Sequence, residues 1–413
     1  MRQNPIEPLR LPSGTTLILV PDPSAPATAI AASVRLGGVE QRRQGGVGPL
    51  LARMLGGDSQ GRTPELLQRD VDGFGALGTL YDGNQLLAWS VCPPTEAALV
   101  QSAQTLLLNT LAQPRFTEEA LVQARTDQLR ALALQEEELL PRLLRTLRTR
   151  AFGSDFSVQG DPAGLQRLTV GDVKSFYAHF CTPERTTIAV VGKFAPEVAR
   201  RWVETSLSVG DWNQRPAGVK ELLPTIDPVP QGLRDRTIPS LPGISAAGVG
   251  FLFPGLSKAE ARADWPALLV LDAVLGQGKA CRLFRLRDDN ALGYEVRSVL
   301  LPGRDATLWA GYILGNQSSL AMRDGLLKTL GQLRQAPPTD GELTRAKTLL
   351  LAQRSQQRQL VLPRARALIT AETSGLGAAM ELEFTKRIEA VKRSDVERVA
   401  QTLFGSNPVV VRT

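Results

Sequence analysis

Histidine is almost missing: His179 is the one example in 413 residues. Imidazole is the commonest metal ligand and the usual general base near neutral pH. Any site that needs two histidines is therefore excluded from this chain. Serine catalysis would have to draw its base from Phe176-Tyr177-Ala178-His179-Phe180, and no G-x-S-x-G elbow exists to accompany it. His179 reads as a packing or capping residue. Cysteine is scarce as well: Cys92, Cys181 and Cys281 are isolated, odd in number and without a short metal spacing, so they read as packing residues and not as a disulfide framework or thiolate site. Aromatics make up only 5% and the net charge of +7 is spread along the chain, which argues against a nucleic-acid partner. No apolar run reaches about 18 residues, so no membrane span is expected. The first eight residues, Met1 to Pro8, carry no apolar h-region, and cytoplasmic residence is the expectation.

What is present is an ordinary globular composition, 43% hydrophobic and 22% charged, in a chain too long for one core. The chain also repeats itself at a period of about 222 residues. Thr117-Glu118-Glu119-Ala120-Leu121-Val122-Gln123-Ala124-Arg125-Thr126 recurs as Thr339-Asp340-Gly341-Glu342-Leu343-Thr344-Arg345-Ala346-Lys347-Thr348. Leu165-Gln166-Arg167-Leu168 before Asp172-Val173 likewise matches Ile388-Glu389-Ala390-Val391 before Asp395-Val396. A duplication into two similar domains is the simplest reading. Residues 213–232, with prolines 216, 224, 228 and 230, read as the linker between domains 1–212 and 233–413.

Within the first half, Thr15 to Val20, Ala27 to Leu36 and Gln85 to Cys92 pattern as strands, and Val47 to Leu55, Thr117 to Leu134 and Val170 to Phe180 as helices. Capping-box spacings stand at Thr169 to Asp172, Thr339 to Glu342 and Ser394 to Glu397. Segregated strands and helices imply an α+β fold, with helices on one face of a mostly antiparallel sheet in each domain. Arg142, Arg145, Arg148 and Arg150, after Glu136-Glu137-Glu138, read as a solvated helix face. Two phosphate-binding spellings fail on context. Gly73-Phe74-Gly75-Ala76-Leu77-Gly78 follows a helical segment where a dinucleotide fingerprint needs a strand. Gly276-Gln277-Gly278-Lys279 has Ala273 and Ala280 where a P-loop needs glycine and a hydroxyl.

The stretch from Gly46 to Leu55, GVGPLLARML, resembles the metal helix of the pitrilysin-type inverzincin peptidases, whose signature is H-x-x-E-H. Pro49, Ala52 and Arg53 occupy the three chemical positions. Proline and alanine offer no side-chain lone pair and a guanidinium repels a cation, so no metal is expected in this chain. The family's further glutamate ligand falls near Ala124 to Ala131, where Asp127 is the nearest oxygen donor. In the second half, Cys281 to Val296 is similar to the family's helix-to-strand segment, and the resemblance gives Arg287 and Tyr294, seven residues apart, a substrate-binding role. Both are hydrogen-bond donors suited to a peptide carbonyl or its oxyanion. The similarity is to the mitochondrial-processing-peptidase-like branch and extends from Leu11 to Val411. It implies two homologous domains forming half of a clamshell, and a degenerate zinc-free subunit whose homologous partner bears the zinc. It also implies oligopeptides or unfolded segments as substrate. A structural, core-type subunit and a peptide-binding homodimer are the alternatives. Peptide held by strand addition would suit Gln85 to Cys92 or its counterpart.

Overall fold

The computed structural model describes residues 8–36, 45–57, 59, 62–83, 85–152, 159–209, 212–214, 236–237, 246–253, 258–288, 291–302, 307–405 and 408–413. The first half contributes strands β1 (Leu9–Arg10), β2 (Thr16–Pro21), β3 (Thr28–Arg35), β4 (Ala76–Tyr81), β5 (Gln85–Cys92) and β6 (Thr186–Gly192). Its helices are α1 (Val47–Leu55), α2 (Pro64–Phe74), α3 (Glu96–Ala103, continued by a π-helical stretch to Ala112), α4 (Glu118–Glu137), α5 (Leu139–Phe152), α6 (Pro162–Arg167), α7 (Val170–Phe180) and α8 (Pro196–Ser208). The second half contributes β7 (Arg236–Thr237), β8 (Ala247–Phe253), β9 (Glu295–Pro302), β10 (Thr307–Gly315) and β11 (Val409–Arg412). Its helices are α9 (Lys258–Gly276), α10 (Arg285–Asp288), α11 (Ser319–Gln335), α12 (Asp340–Arg358), α13 (Val361–Thr373), α14 (Ala378–Leu382), α15 (Phe384–Ala390) and α16 (Arg393–Leu403).

The duplication is visible in the strand order. One sheet runs β1-β2-β6-β3-β5-β4 and the other β7-β11-β8-β10-β9. In each, one pair is parallel (β2 with β6, β7 with β11) and the remaining pairs are antiparallel. The helices keep the repeat: α12, α13 and α15 begin 222 residues after α4, α5 and α6, at Asp340, Val361 and Phe384.

Each sheet has a core on both of its faces. In the first, Leu17, Ile30, Ala32, Val34, Ile188 and Val190 point to the larger core with α1, the π-helical stretch and α7. The alternate residues Ile18, Ala29, Ala31, Ala189 and Val191 meet Val361, Ala365, Leu368 and Ile369 of α13. That is why β3 reads as an unbroken apolar run and not an alternating one. In the second sheet, Val249, Phe251, Ile313 and Val410 face α9, α11 and α16. Leu252, Ala310, Tyr312 and Val411 face Leu139, Leu143 and Leu147 of α5.

The compact units consequently differ from the halves 1–212 and 233–413 drawn from the sequence. One comprises 1–132, 157–224 and 357–382, and the other 133–156, 225–356 and 383–413. Each repeat lends the helix after its long helix to the other repeat's sheet, since that helix finds its apolar partner there. Of the linker 213–232, residues 215–232 lie outside those described.

Local signals mostly hold. Thr169 and Asp172 form the reciprocal cap of α7, and Thr339 and Glu342 that of α12. At α16 the expected Ser394 to Glu397 cap is replaced by one two residues earlier, where the Asp395 carboxylate accepts from the Lys392 amide at 2.9 Å. Arg145 pairs with Glu136, and Arg142 Nε lies 4.0 Å from the same carboxylate, so this part of the basic stripe is neutralised within its own helix pair. No helix among the described residues is long and apolar enough to cross a membrane.

Candidate functional site

α1 starts after Gly46, whose φ of 96° is open to glycine and strained for other residues. Pro49 falls in its first turn, where a missing N–H costs no intrahelical bond. Val47, Leu50, Leu51, Met54 and Leu55 are buried, and so are Pro49 and Ala52. Arg53 alone is exposed. The helix lies directly against β4: a Cβ on Gly48 would stand 2.8 Å from the Tyr81 ring, and Thr79 Oγ1 donates to the Ala52 carbonyl at 2.7 Å.

Arg53 is held from behind. Its Nε donates to Gln128 Oε1 at 3.1 Å, and Gln128, on α4 and only 2% exposed, donates in turn to the Gln159 carbonyl at 2.9 Å and to its side-chain oxygen at 3.2 Å. Asp127, the nearest oxygen donor by sequence, is engaged elsewhere and accepts from Gln123 one turn back. The residue that meets the second histidine position is thus Gln128. Its distance in sequence from Arg53, 75 residues, was the available signal. Zinc does not fit this set of residues. Two of the positions are buried and carry no lone pair, the third is a cation, and the carbonyl oxygen facing it is already spent on that cation.

β4 is an edge strand, paired with β5 and with no other strand among the described residues. Gln85–Cys92, considered above for strand addition, is β5 and lies between β3 and β4. Both of its sides are occupied, so it cannot take a further strand. The available edges beside the two repeats' central helices are β4 and, in the second sheet, β9.

Arg287 lies in the short helix α10, and Tyr294 stands one residue ahead of β9, its amide donating to the Leu314 carbonyl at 2.9 Å. Helix-end arginine and strand-opening tyrosine are therefore placed as the spacing expects. The Arg287 side chain is 48% exposed, 4.0 Å from Asp288 and over the Phe284 ring at 5.1 Å; Tyr294 is 51% exposed. Gly293 permits the close approach to β10 just before Tyr294, because a Cβ there would lie 2.6 Å from Ile313.

A buried polar cluster escaped the sequence reading. Asp272 of α9 is 2% exposed and receives Ser298 Oγ and Gln277 Nε2, each at 2.5 Å, and Trp309 Nε1 at 2.9 Å. Burial pushes its carboxyl up despite those three donors. The cluster joins α9 to the edge strand β9 through Ser298, as Thr79 joins α1 to the edge strand β4. The remaining candidates stay structural. His179 packs edge-on against Phe180. The three cysteines are buried, with the Cys92 thiol pushed up to about 11 by burial. The G-x-G-x-x-G run is a helix end, Phe74, leading into a strand, the reverse of the dinucleotide order.

The family description "Peptidase M16 inactive domain" matches residues 167–350, a span that includes Arg287 and Tyr294. Among solved structures, a protease from Helicobacter pylori is similar over 98% of both chains, with a TM-score of 0.86 at 17% identity. A peptidase M16 inactive domain from Pseudomonas fluorescens is similar over 98% of this chain and 97% of its own, with a TM-score of 0.85 at 17% identity. No curated protein matches the sequence. The inactive-domain description thus matches the middle of the chain, and the fold along its length is the one these solved peptidase-like structures share.

Proposed function

We propose that the chain is a zinc-free, non-catalytic subunit of a heterodimeric metallopeptidase that acts on oligopeptides or unfolded segments in the cytoplasm. The observation that carries this reading is the α1 corner. The helix and its edge strand keep their places, while Pro49, Ala52 and Arg53 leave no group that could hold a metal or activate water. A homologous partner with an intact H-x-x-E-H helix supplies the metal and the general base. This chain supplies donors: the Arg287 guanidinium and the Tyr294 hydroxyl, both exposed, bind the peptide carbonyl and the oxyanion that grows from it. An extended peptide adds by its backbone to an edge strand, where unpaired N–H and C=O groups await partners.

Coexpression with an H-x-x-E-H homologue tests the reading. The mixture is expected to cleave an oligopeptide that neither chain cleaves alone. Arg287→Ala or Tyr294→Phe in this chain is expected to lower turnover by roughly 10²–10³, the usual loss for an oxyanion donor. Activity indifferent to both substitutions would place the chain among structural subunits, and binding of peptide by a stable dimer of this chain alone would favour the homodimer.

A further inference from the structure

We propose that Arg53 is a carboxylate-binding residue for an extended peptide laid along β4. The inference rests on the peptide-binding reading and adds to it the chemistry of one end of the ligand.

Three observations carry it. First, the guanidinium is held in place. Its Nε is committed to Gln128, and Gln128 is itself buried and tied to Gln159 by two hydrogen bonds, so the plane is fixed from one side. With Nε engaged, the end-on pair Nη1 and Nη2 is left, and it makes no hydrogen bond or ion pair with any described residue. That pair is the fork that matches a carboxylate in bidentate fashion. Second, the helix that carries the fork lies against the edge strand. Ala52, the neighbour of Arg53, receives Thr79 Oγ1 of β4 through its carbonyl, and Leu80 on the same strand is a 42% exposed apolar side chain. Extended peptide on β4 would thus meet backbone partners, an apolar contact and a cation within one short stretch. Third, the fold does not need an exposed cation here. On α9, beside the edge strand β9, Asp272 has its carboxylate satisfied by three internal donors and turned into the core.

The carboxylate could be the peptide's own terminus or an acidic side chain. Both present the same planar pair of oxygens. Fluorescence anisotropy of the full-length chain with three N-terminally labelled extended peptides separates them: a free acid, the same sequence amidated, and an amidated form with a glutamate as its last residue. Terminal recognition is expected to make the free acid bind about tenfold more tightly than the plain amide, a preference that salt weakens. Side-chain recognition gives that advantage to the glutamate peptide instead. In either case Arg53→Gln, with its fold checked by circular dichroism, is expected to erase the preference and leave the amide's affinity unchanged, while Arg53→Lys retains part of it. Equal binding of all three peptides would overturn the role of Arg53 and leave peptide binding intact. Binding of none would overturn both.

Discussion

The two repeats solve the same packing problem with different side chains. On the first sheet the exchanged helix α13 places Ala365 in a core that includes the sheet alanines Ala29, Ala31 and Ala189. On the second, α5 places Leu143, the residue 222 before Ala365, on Gly250, where a Cβ would come within 3.2 Å of Leu143 and 2.5 Å of Leu147. Volume has moved from sheet to helix, and the interior stays filled. The corner beside each edge strand diverges further. Arg53 on α1 is exposed, whereas Asp272 on α9 is buried. The two repeats therefore differ in charge beside their edge strands.

That comparison can be broken by exchanging its volumes. Leu143→Ala removes a fully buried side chain from above a glycine that cannot refill the space, and is expected to cost about 2–5 kcal/mol in urea unfolding. Ala365→Leu tests the opposite limit. Ala365 is fully buried, and overpacking there should cost about 1–3 kcal/mol. Cutting the Arg53 tie with Arg53→Ala strands the buried Gln128 oxygen, with an expected loss of about 1–3 kcal/mol by the same measurement.

Two acids of the second repeat sharpen the contrast through pH. Glu342 is held at about 2, below its ordinary 4.5, by the paired hydrogen bonds from Arg282 and by its capping bonds. Its stabilisation is full above pH 4.5 and is lost as pH falls toward 2. Asp272 is shifted the other way by burial, so its contribution is full below the ordinary carboxylate range and declines as pH rises through its raised value. Glu342→Gln should therefore flatten the acid limb of a melting-temperature profile. Asp272→Asn should instead remove a loss of stability that develops as pH increases.

Much of the fold was legible from the chain alone. The 222-residue repeat, the caps at Thr169 and Thr339 and the apolar runs of β2 and β5 report local geometry, and local geometry is what sequence pattern encodes. The exchange of α5 and α13 was not legible, since each helix's apolar stripe says that it is covered and not by which sheet. At the site, Pro49, Ala52 and Arg53 were readable through the H-x-x-E-H spacing, whereas Gln128 as the partner of Arg53 was not. Helical phase at a distance of 75 residues is beyond what spacing can fix. Nor could Gln85–Cys92 be ruled out as an edge before strand order was known.

Metal analysis of the purified chain, with and without a zinc-bearing homologue, bears most directly on the central claim. The lone chain is expected to hold no stoichiometric zinc and to show no chelator-sensitive peptidase activity, with activity arising only on mixing. One zinc per lone chain, accompanied by proteolysis that a chelator abolishes, would contradict the claim.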